Sequence, residues 1–262
     1  MQPLFTLEFR SFLDRENLSY IEQNKCFSIN NGSINVCLIP FDEYAILNHH
    51  LKTHIETFIL HQDQWIKKRE IVESHIKVSS GIYESFYARN CIVEKINTSI
   101  ARSFHNQNHL LGGVGAKYNY ALIDKAKNRI LAVSSFSSPR VMDRGEANVK
   151  SYEWIRHTTA IGVRVAGGMS KLLNKFVKDV SPQEVMTYCD AEWSRGDSYI
   201  ALGFKKHSET GEQTFYIDKS TFERLSIKKI RREGLDLTPD NIQKKFYTLR
   251  TKGNLKFLKS IV

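Results

Sequence analysis

The sequence is poor in the residues that mark disulfide-rich, fibrous or disordered proteins. Only 5 of its 262 residues are proline, and 14 are glycine. Its four cysteines are scattered, and no two of them have the Cys-x-x-Cys spacing of a zinc or redox site. We therefore predict neither a metal cluster nor a disulfide framework, and we expect reduced cysteines, as in a cytoplasmic protein.

Long apolar runs and internal repeats are also missing. No stretch approaches the roughly 20 apolar residues that cross a membrane. The start of the sequence lacks the basic and apolar regions of a secretory signal. Hydrophobic residues make up 41% of the chain and charged residues 25%, which is typical of a folded globular protein. We expect a soluble protein that does not bind membranes.

Positive charge is abundant and unevenly distributed. The chain carries a net charge of +10, and residues 219–262 contain twelve Lys and Arg against four Asp and Glu. Phe246, Tyr247 and Phe257 are interspersed among these cations. Cations contact phosphates and aromatic rings stack on bases, so the segment fits nucleic acid, although a solvated surface is the simpler alternative. The candidate contacts are Lys228, Lys229, Arg231 and Arg232.

Hydrophobic periodicity divides the chain into three parts. The first contains a predicted helix over residues 5–24, a β-hairpin that turns at residues 30–33, and helical periodicity over 49–77. From residue 91 the order is β α β β β α β α β β, and the last two strands form a predicted hairpin around Thr210-Gly211. We predict a mixed α/β protein: a small α+β domain over 1–88, a mixed sheet flanked by helices over 89–218, and a basic extension over 219–262.

The stretch "GVRVAGGMSKLL" at residues 162–173 leads from a strand into an amphipathic helix through two glycines. The N-terminus of a helix presents free N–H groups and a partial positive charge, which together favour anions. Glycine also lets the backbone approach a ligand closely. An isolated Gly-Gly pair, however, more often only turns the chain, so the residues alone leave both interpretations open.

The order of elements, the turn Arg164-x-x-Gly167-x-Met169 and the phrase "YIALGF" at 199–204 resemble the GNAT family of acyl-CoA N-acyltransferases. The resemblance implies acyl transfer from acetyl-CoA or another acyl-CoA to an amine, with Tyr199 protonating the departing thiolate. Met169 stands where the family usually has a small residue. The implied coenzyme A pyrophosphate loop consists of Arg164, Val165, Ala166, Gly167, Gly168, Met169, Ser170 and Lys171.

Three residues are candidates for the general base. Glu153 and His157 lie on the strand that often carries the base in that family, and simple strand alternation predicts that they share a face. Asp190 ends a predicted strand, where it either accepts a proton from the substrate or caps the following turn. The residues of that turn, Trp193, Ser194 and Arg195, are candidates for contact with substrate or nucleic acid, and Trp193 fits ordinary burial equally well.

His105 and His109 have the i, i+4 spacing that places two imidazoles on one metal ion. No third ligand accompanies them, so the sequence favours a helix end over a metal site. A phrase similar to "NHLxG", which contains His109, recurs in the phage-encoded family described next. His109 is therefore kept as a candidate for contact with substrate or nucleic acid.

A longer series of phrases, from "QDQWIKKREIVESHI" through "AVSSFSSPR" to "GNLKF", resembles a family of phage-encoded proteins over roughly residues 62–262. Those proteins join a Vsr-like or restriction-endonuclease-like N-terminal segment to a GNAT-like region. The resemblance implies a nucleic acid partner, DNA above all, and an amine of a DNA base as the acceptor.

The predicted β-hairpin within residues 1–88 lacks the carboxylates of the nuclease pattern. Metal-dependent nucleases of this kind hold Mg²⁺ with clustered carboxylates. The hairpin carries Ser28, Asn30, Asn35 and Cys37 instead. We therefore interpret residues 1–88 as a degenerate endonuclease-like domain. Two alternatives to the acyltransferase remain open: an inactive GNAT-like DNA-binding module beside this endonuclease-derived domain, and nuclease activity in residues 1–88.

Overall fold

The computed structural model describes residues 4–44, 57–145 and 148–261. In these ranges the helices are α1 (Leu4–Arg15), α2 (Gln62–Lys67), α3 (Arg69–Ser79), α4 (Thr98–Asn108), α5 (Gly168–Val180), α6 (Asp197–Ala201), α7 (Ile227–Arg232) and α8 (Pro239–Lys245). Across the same ranges, none of the helices is long and apolar enough to cross a membrane.

The strands precede, separate and follow these helices. They are β1 (Tyr20–Gln23), β2 (Cys26–Ile29), β3 (Ile34–Ile39), β4 (Phe58–His61), β5 (Glu84–Tyr87), β6 (Cys91–Lys95), β7 (Tyr118–Asp124), β8 (Arg129–Phe136), β9 (Arg140–Asp143), β10 (Asn148–Thr159), β11 (Val163–Ala166), β12 (Glu184–Asp190), β13 (Lys205–Glu209), β14 (Gln213–Asp218), β15 (Arg224–Ser226), β16 (Phe246–Thr251) and β17 (Asn254–Ser260).

The chain forms two compact units, and neither is continuous in sequence. The first unit comprises Met1–Ser80, Asp190–Ser194 and Thr210–Asn254. The second unit comprises Gly81–Cys189, Arg195–Glu209 and Leu255–Val262. The predicted boundary at residue 88 lies near the first of these divisions. Residues 219–262 differ from the expectation of a separate extension, because β15 and β16 pair with β14 in the first unit and β17 pairs with β13.

The first unit contains a four-stranded sheet in the order β1-β2-β3-β4 and a three-stranded sheet in the order β15-β14-β16. The predicted hairpin between β2 and β3 is confirmed, and Asn30 and Asn31 adopt positive φ angles of 48° and 54° in its turn. The predicted helix over 5–24 is too long. It ends at Arg15, because Asn17 has a φ of 52° and the following residues pair with β2 as strand β1.

The predicted helical segment over 49–77 is only partly tested, because residues 45–56 lie outside the described residues. Its remainder forms the short strand β4 and then two helices, which are separated at Lys68. A strand in this position places Phe58–His61 in parallel register with β3. The periodicity of the sequence therefore identified the helices and missed the strand before them.

Cys26 and Cys37 are directly paired positions on β2 and β3, and they form a disulfide. The prediction that all four cysteines are reduced is therefore wrong for this pair. Only the register of the two strands brings the sulfur atoms together, and the spacing in sequence carries no such signal. Cys91 and Cys189 are not part of a disulfide among the described residues.

The second unit is built on an eight-stranded mixed sheet. Its main path is β13-β17-β12-β10-β8-β7-β6, and β9 pairs with β10. The aromatic core lies on the face covered by α5, where the rings of Phe136 and Phe176 stack with centroids 3.9 Å apart. Helix α4 packs against the other face through Ala101, which contacts Val133. The predicted mixed α/β class, with a sheet flanked by helices, is confirmed.

The predicted order of elements from residue 91 misses the short strands β9 and β11 on either side of β10, and its other elements are present as far as β13. The predicted hairpin of the last two strands is wrong, because β13 pairs with β17 and β14 pairs with β15 and β16. Strands β13 and β14 thus belong to different sheets, although only residues 210–212 separate them. Local turn residues indicated a hairpin, and the long-range pairing overrode that local signal.

Candidate active site

Two neighbouring parallel strands of the second unit separate in the middle of the sheet. β10 and β12 pair from Ser151 and Glu184 as far as Trp154 and Thr187, where their ladder ends. The pairing of β10 with β8 also shifts register there, so that Ile155 forms a β-bulge. Where a ladder ends inside a sheet, backbone N–H and C=O groups become available to a ligand.

Tyr199 lies at the point where these strands separate. Its ring packs on Trp154, with centroids 5.8 Å apart, and its phenol contacts the side chain of Thr187. The hydroxyl of Thr187, which lies beside the phenol, donates to the carbonyl of Trp154 over 3.0 Å. Burial raises the pKa of Tyr199. The site therefore holds a protonated phenol at neutral pH.

The bulge at Ile155 decides which strand residues face Tyr199. Trp154 pairs with Phe136 and His157 with Ser134, and these two partners are two residues apart on β8. Trp154 and His157 therefore share one face of the sheet, and Glu153, next to Trp154, lies on the other. The prediction that Glu153 and His157 share a face is wrong, because the extra residue of the bulge reverses the alternation.

His157 is half-buried beside Trp154, and its Nδ1 lies 3.0 Å from the hydroxyl of Ser134. Burial lowers the pKa of His157 to about 4. The imidazole is therefore neutral at pH 7 and a weak base. Glu153 is the half-buried carboxylate on the opposite face, and it lines an open groove.

The two histidines of α4 do not form a metal site. Both ring nitrogens of His105 are hydrogen-bonded, to Thr158 over 2.7 Å and to Ser135 over 2.8 Å, and burial lowers the pKa of His105 to about 4. His109 ends the helix, and its Nδ1 accepts the N–H of Leu111 over 3.0 Å. In the described ranges, no group of three potential ligands could hold a metal ion.

The glycines of the predicted phosphate loop form the N-terminus of α5. Gly167 adopts a left-handed conformation with a φ of 75°, and a Cβ added to Gly168 would lie 3.2 Å from Val165. The preceding residues differ from expectation, because β11 pairs in parallel with β5 and lies outside the main sheet. The side chain of Met169 packs against the hydrophobic core.

The two cations of the predicted loop already have partners within the chain. Arg164 donates to the phenol oxygen of Tyr83 over 2.9 Å. The ammonium of Lys171 donates to the carbonyl oxygens of Ala88 and Cys91 over 2.7 and 2.6 Å. Lys171 therefore links the start of β6 to α5. Because both cations are engaged, the hydrogen-bond donors that this helix end offers to a ligand are backbone N–H groups.

Asp190 ends β12 and belongs to the first unit, where it caps the following turn. Its carboxylate accepts the N–H of Glu192 over 2.9 Å, and its carbonyl accepts the N–H groups of Trp193 and Ser194. Of the two predicted roles, the structure shows this cap. Trp193 is half-buried against Phe58, with ring centroids 5.7 Å apart, and the neighbouring Arg195 begins the next segment of the second unit.

Sequence reasoning missed two long-range pairs of polar side chains in the first unit. His61 Nε2 lies 2.9 Å from the carboxylate of Glu192. The guanidinium of Arg224 donates two hydrogen bonds, of 2.8 and 2.9 Å, to the carboxylate of Asp63. These pairs join residues that are 131 and 161 positions apart, so no local spacing could have revealed them.

The predicted basic residues of the last segment lie on α7. Lys228, Arg231 and Arg232 are exposed, whereas Lys229 pairs with Glu223. The helix begins at Ser226, whose hydroxyl accepts the N–H of Lys229. Its short length and single buried residue, Ile230, leave the cationic side chains in solvent.

No protein-family model and no curated protein matches the chain. Comparison with solved structures finds acetyltransferases among the similar folds. An IAA acetyltransferase from Bacillus cereus is 12% identical, with 65% of this chain and 99% of that one covered and a TM-score of 0.36. A Bacillus subtilis acetyltransferase in complex with CoA is 8% identical, with coverages of 66% and 99% and a TM-score of 0.38.

NAA60 from Arabidopsis thaliana, in complex with acetyl-CoA, is 12% identical, with coverages of 65% and 99% and a TM-score of 0.37. At identities and TM-scores this low, the likeness assigns neither a residue role nor an activity to this chain.

The environment of Asp190 predicts a pH-dependent stability. Burial, and then the neighbouring Glu192, raise the pKa of Asp190 from 3.8 to about 6. Between about pH 4 and 6 the folded state therefore binds more protons at Asp190 than the unfolded state does. The free energy of unfolding falls as the pH rises through this window and stays lower above it. Asp190→Asn keeps an oxygen for the turn and removes the charge. We expect it to raise the free energy of unfolding at pH 7 by up to about 3 kcal/mol.

Denaturant unfolding at pH 4 and at pH 7 measures this difference. The control is Asp240→Asn, which removes the same charge from an exposed position of α8. A gain for Asp190→Asn at pH 7 that disappears at pH 4 supports the account. An equal effect at both pH values contradicts it.

Proposed function

We propose that the second unit is an acyl-CoA-dependent N-acyltransferase. The observation that carries the proposal is the separation of β10 and β12 at Trp154 and Thr187, with the protonated phenol of Tyr199 at that point. The gap offers backbone hydrogen-bonding groups to an extended amide-containing chain such as pantetheine. Helix α5, which follows β10 and β11, offers its N-terminus to phosphate.

The residues at the start of α5 fit a pyrophosphate group. The N–H groups of Gly168, Met169 and Ser170 belong to the first helical turn and have no acceptor within the helix. The helix has 13 residues, and its dipole adds partial positive charge at this end. The small residue at 168 allows close approach, and Met169 packs into the core and so leaves the helix end open. Acyl-CoA bound here would supply the acyl group as a thioester.

Acyl transfer to an amine forms a C–N bond and breaks a C–S bond. Tyr199 gives the proton that the sulfur gains, since its raised pKa keeps the phenol protonated. Glu153, on the other face of β10, takes the proton that the amine loses. His157 is less suited to this role, because it lies on the same face of the sheet as Tyr199.

DNA is the proposed partner of the first unit, and an amine of a DNA base remains a proposed acceptor for the second. The exposed cations Lys228, Arg231 and Arg232 on α7 support DNA binding, since they fit a row of phosphates. The ordered likeness to phage-encoded proteins supports a phage or mobile-element origin and a role in DNA modification. An inactive DNA-binding module is the alternative, and it predicts no response to acyl-CoA.

Removing the phenol of Tyr199 tests the acyltransferase. For Tyr199→Phe we expect a fall in kcat of about 100-fold, because the leaving sulfur loses its proton donor. The Kd for acetyl-CoA should be unchanged, since the ring still packs on Trp154. Calorimetry measures binding, and release of free thiol from acetyl-CoA measures turnover.

The matched control is Tyr118→Phe, which removes a phenol from β7 in the same unit. Wild-type protein that fails to bind any acyl-CoA contradicts the proposal. Equal effects of the two substitutions on kcat contradict the role of Tyr199.

Neutralising α7 tests the contact with DNA. The triple variant Lys228→Ala, Arg231→Ala and Arg232→Ala should weaken duplex binding and reduce the slope of log K against log salt by about two to three. The charge-matched control replaces Lys125, Lys178 and Lys205, exposed residues of the second unit, with alanine. Fluorescence anisotropy at several salt concentrations gives the slopes. Equal slopes for both triple variants contradict the assignment to α7.

A further inference from the structure

A groove of about 540 Å³ opens in the second unit beside Glu153. It forms where β8 ends at Phe136 and residues 137–139 leave the sheet, before β9 pairs with β10 again at Arg140. The backbone N–H of Glu153 donates to the hydroxyl of Ser137, and the N–H of Ser137 donates to the carbonyl of Glu153, both over 2.9 Å. These hydrogen bonds fix the loop beside the carboxylate.

The groove carries charges of both signs. Glu153 supplies a carboxylate, and the exposed Lys117 and Arg140 supply an ammonium and a guanidinium. Over residues 4–44, 57–145 and 148–261, no ion pair joins any of these three side chains to another residue. The ammonium of Lys117 lies 5.7 Å from the centroid of the Tyr118 ring, and Glu153 interacts electrostatically with Arg156. Neither contact is an ion pair, so the three charges remain accessible to a ligand.

Glu153 and Arg140 both act on one further side chain. Tyr188 lies two residues beyond Met186, which pairs with Glu153, so Tyr188 and Glu153 share a face of the sheet. After burial, the charges that most affect the Tyr188 phenol are Glu153, which raises its pKa, and Arg140, which lowers it. Arg140 pairs with Ser151, two residues before Glu153 on β10, so the carboxylate and the guanidinium lie on the same side of the sheet.

We propose that this groove binds an acceptor amine that also carries an anionic group, either a carboxylate or a phosphate. Glu153 receives the amine, and Arg140 and Lys117 hold the anion by charge-assisted hydrogen bonds. The inference rests on the proposed N-acyltransferase function for the reaction, and on the unpaired charges of the groove for the substrate class.

The same charges disfavour a polyamine as the acceptor. A second ammonium on the substrate would face Lys117 and Arg140 with only one carboxylate in the groove. Two kinds of molecule share the favoured chemistry. One is an amino acid, with its carboxylate, and the other is a nucleotide with an exocyclic amine, with its phosphate.

Matched pairs of amines separate these possibilities. One arm compares phenylalanine with phenethylamine, the second compares deoxyadenosine monophosphate with deoxyadenosine, and spermidine serves as the polyamine. Each compound is titrated into the full-length protein by calorimetry without acyl-CoA, and is then assayed as an acceptor with acetyl-CoA. Binding without acyl-CoA tests the groove independently of the acyltransferase reaction.

In at least one arm, we expect the anionic member to bind about tenfold more tightly than its partner without the anion. Arg140→Ala should abolish this preference, Arg140→Lys should restore part of it, and neither should change the Kd for acetyl-CoA. The control Lys178→Ala, which removes an exposed cation of α5, should keep the preference.

The inference is overturned by no preference for the anion in either arm, or by equal losses in Arg140→Ala and Lys178→Ala. Tighter binding of spermidine than of both anionic amines also overturns it. An anion preference in protein that does not bind acetyl-CoA would instead contradict the acyltransferase and leave the groove assignment standing. The arm that shows the preference identifies the source of the anion.

Discussion

The end of the parallel ladder between β10 and β12 is the constraint on which the candidate site depends. The ladder stops at Trp154 and Thr187, and both residues then hold Tyr199, one by ring packing and one through its hydroxyl. The bulge at Ile155 follows directly and places Glu153 on the opposite face of the sheet from His157. The end of the ladder and the bulge thus leave a gap between the strands, with the phenol of Tyr199 on one face of the sheet and the carboxylate of Glu153 on the other.

In the first unit, two pairs of polar side chains hold three distant segments of the chain together. His61 and Glu192 join its first and second segments, and Asp63 and Arg224 join its first and third. Asp63 is buried and Arg224 is mostly buried, so loss of Arg224 would leave the carboxylate uncompensated and cost about 3–5 kcal/mol. Glu192 lies in the turn that Asp190 caps, so this turn is a structural part of the unit.

The sequence predicted most of what depends on local patterns. The hairpin at Asn30 and Asn31 and the amphipathic α5 both follow from turn chemistry and periodicity. Features set by distant pairing could not be predicted: the partner of β13, the Cys26–Cys37 disulfide and the groove at Arg140. The bulge at Ile155 gave no signal, so the faces of Glu153 and His157 were assigned incorrectly. The phrase "SSPR" contains Arg140, but only the pairing of β9 with β10 places it near Glu153.

A crystal structure of the protein with coenzyme A tests the central claim most directly. The account predicts the pantetheine arm between residues 155–157 of β10 and residues 188–189 of β12, the thiol near the phenol of Tyr199, and the pyrophosphate at the N-terminus of α5. Coenzyme A bound elsewhere at full occupancy, or a closed β10–β12 ladder beyond Trp154 and Thr187, would contradict it.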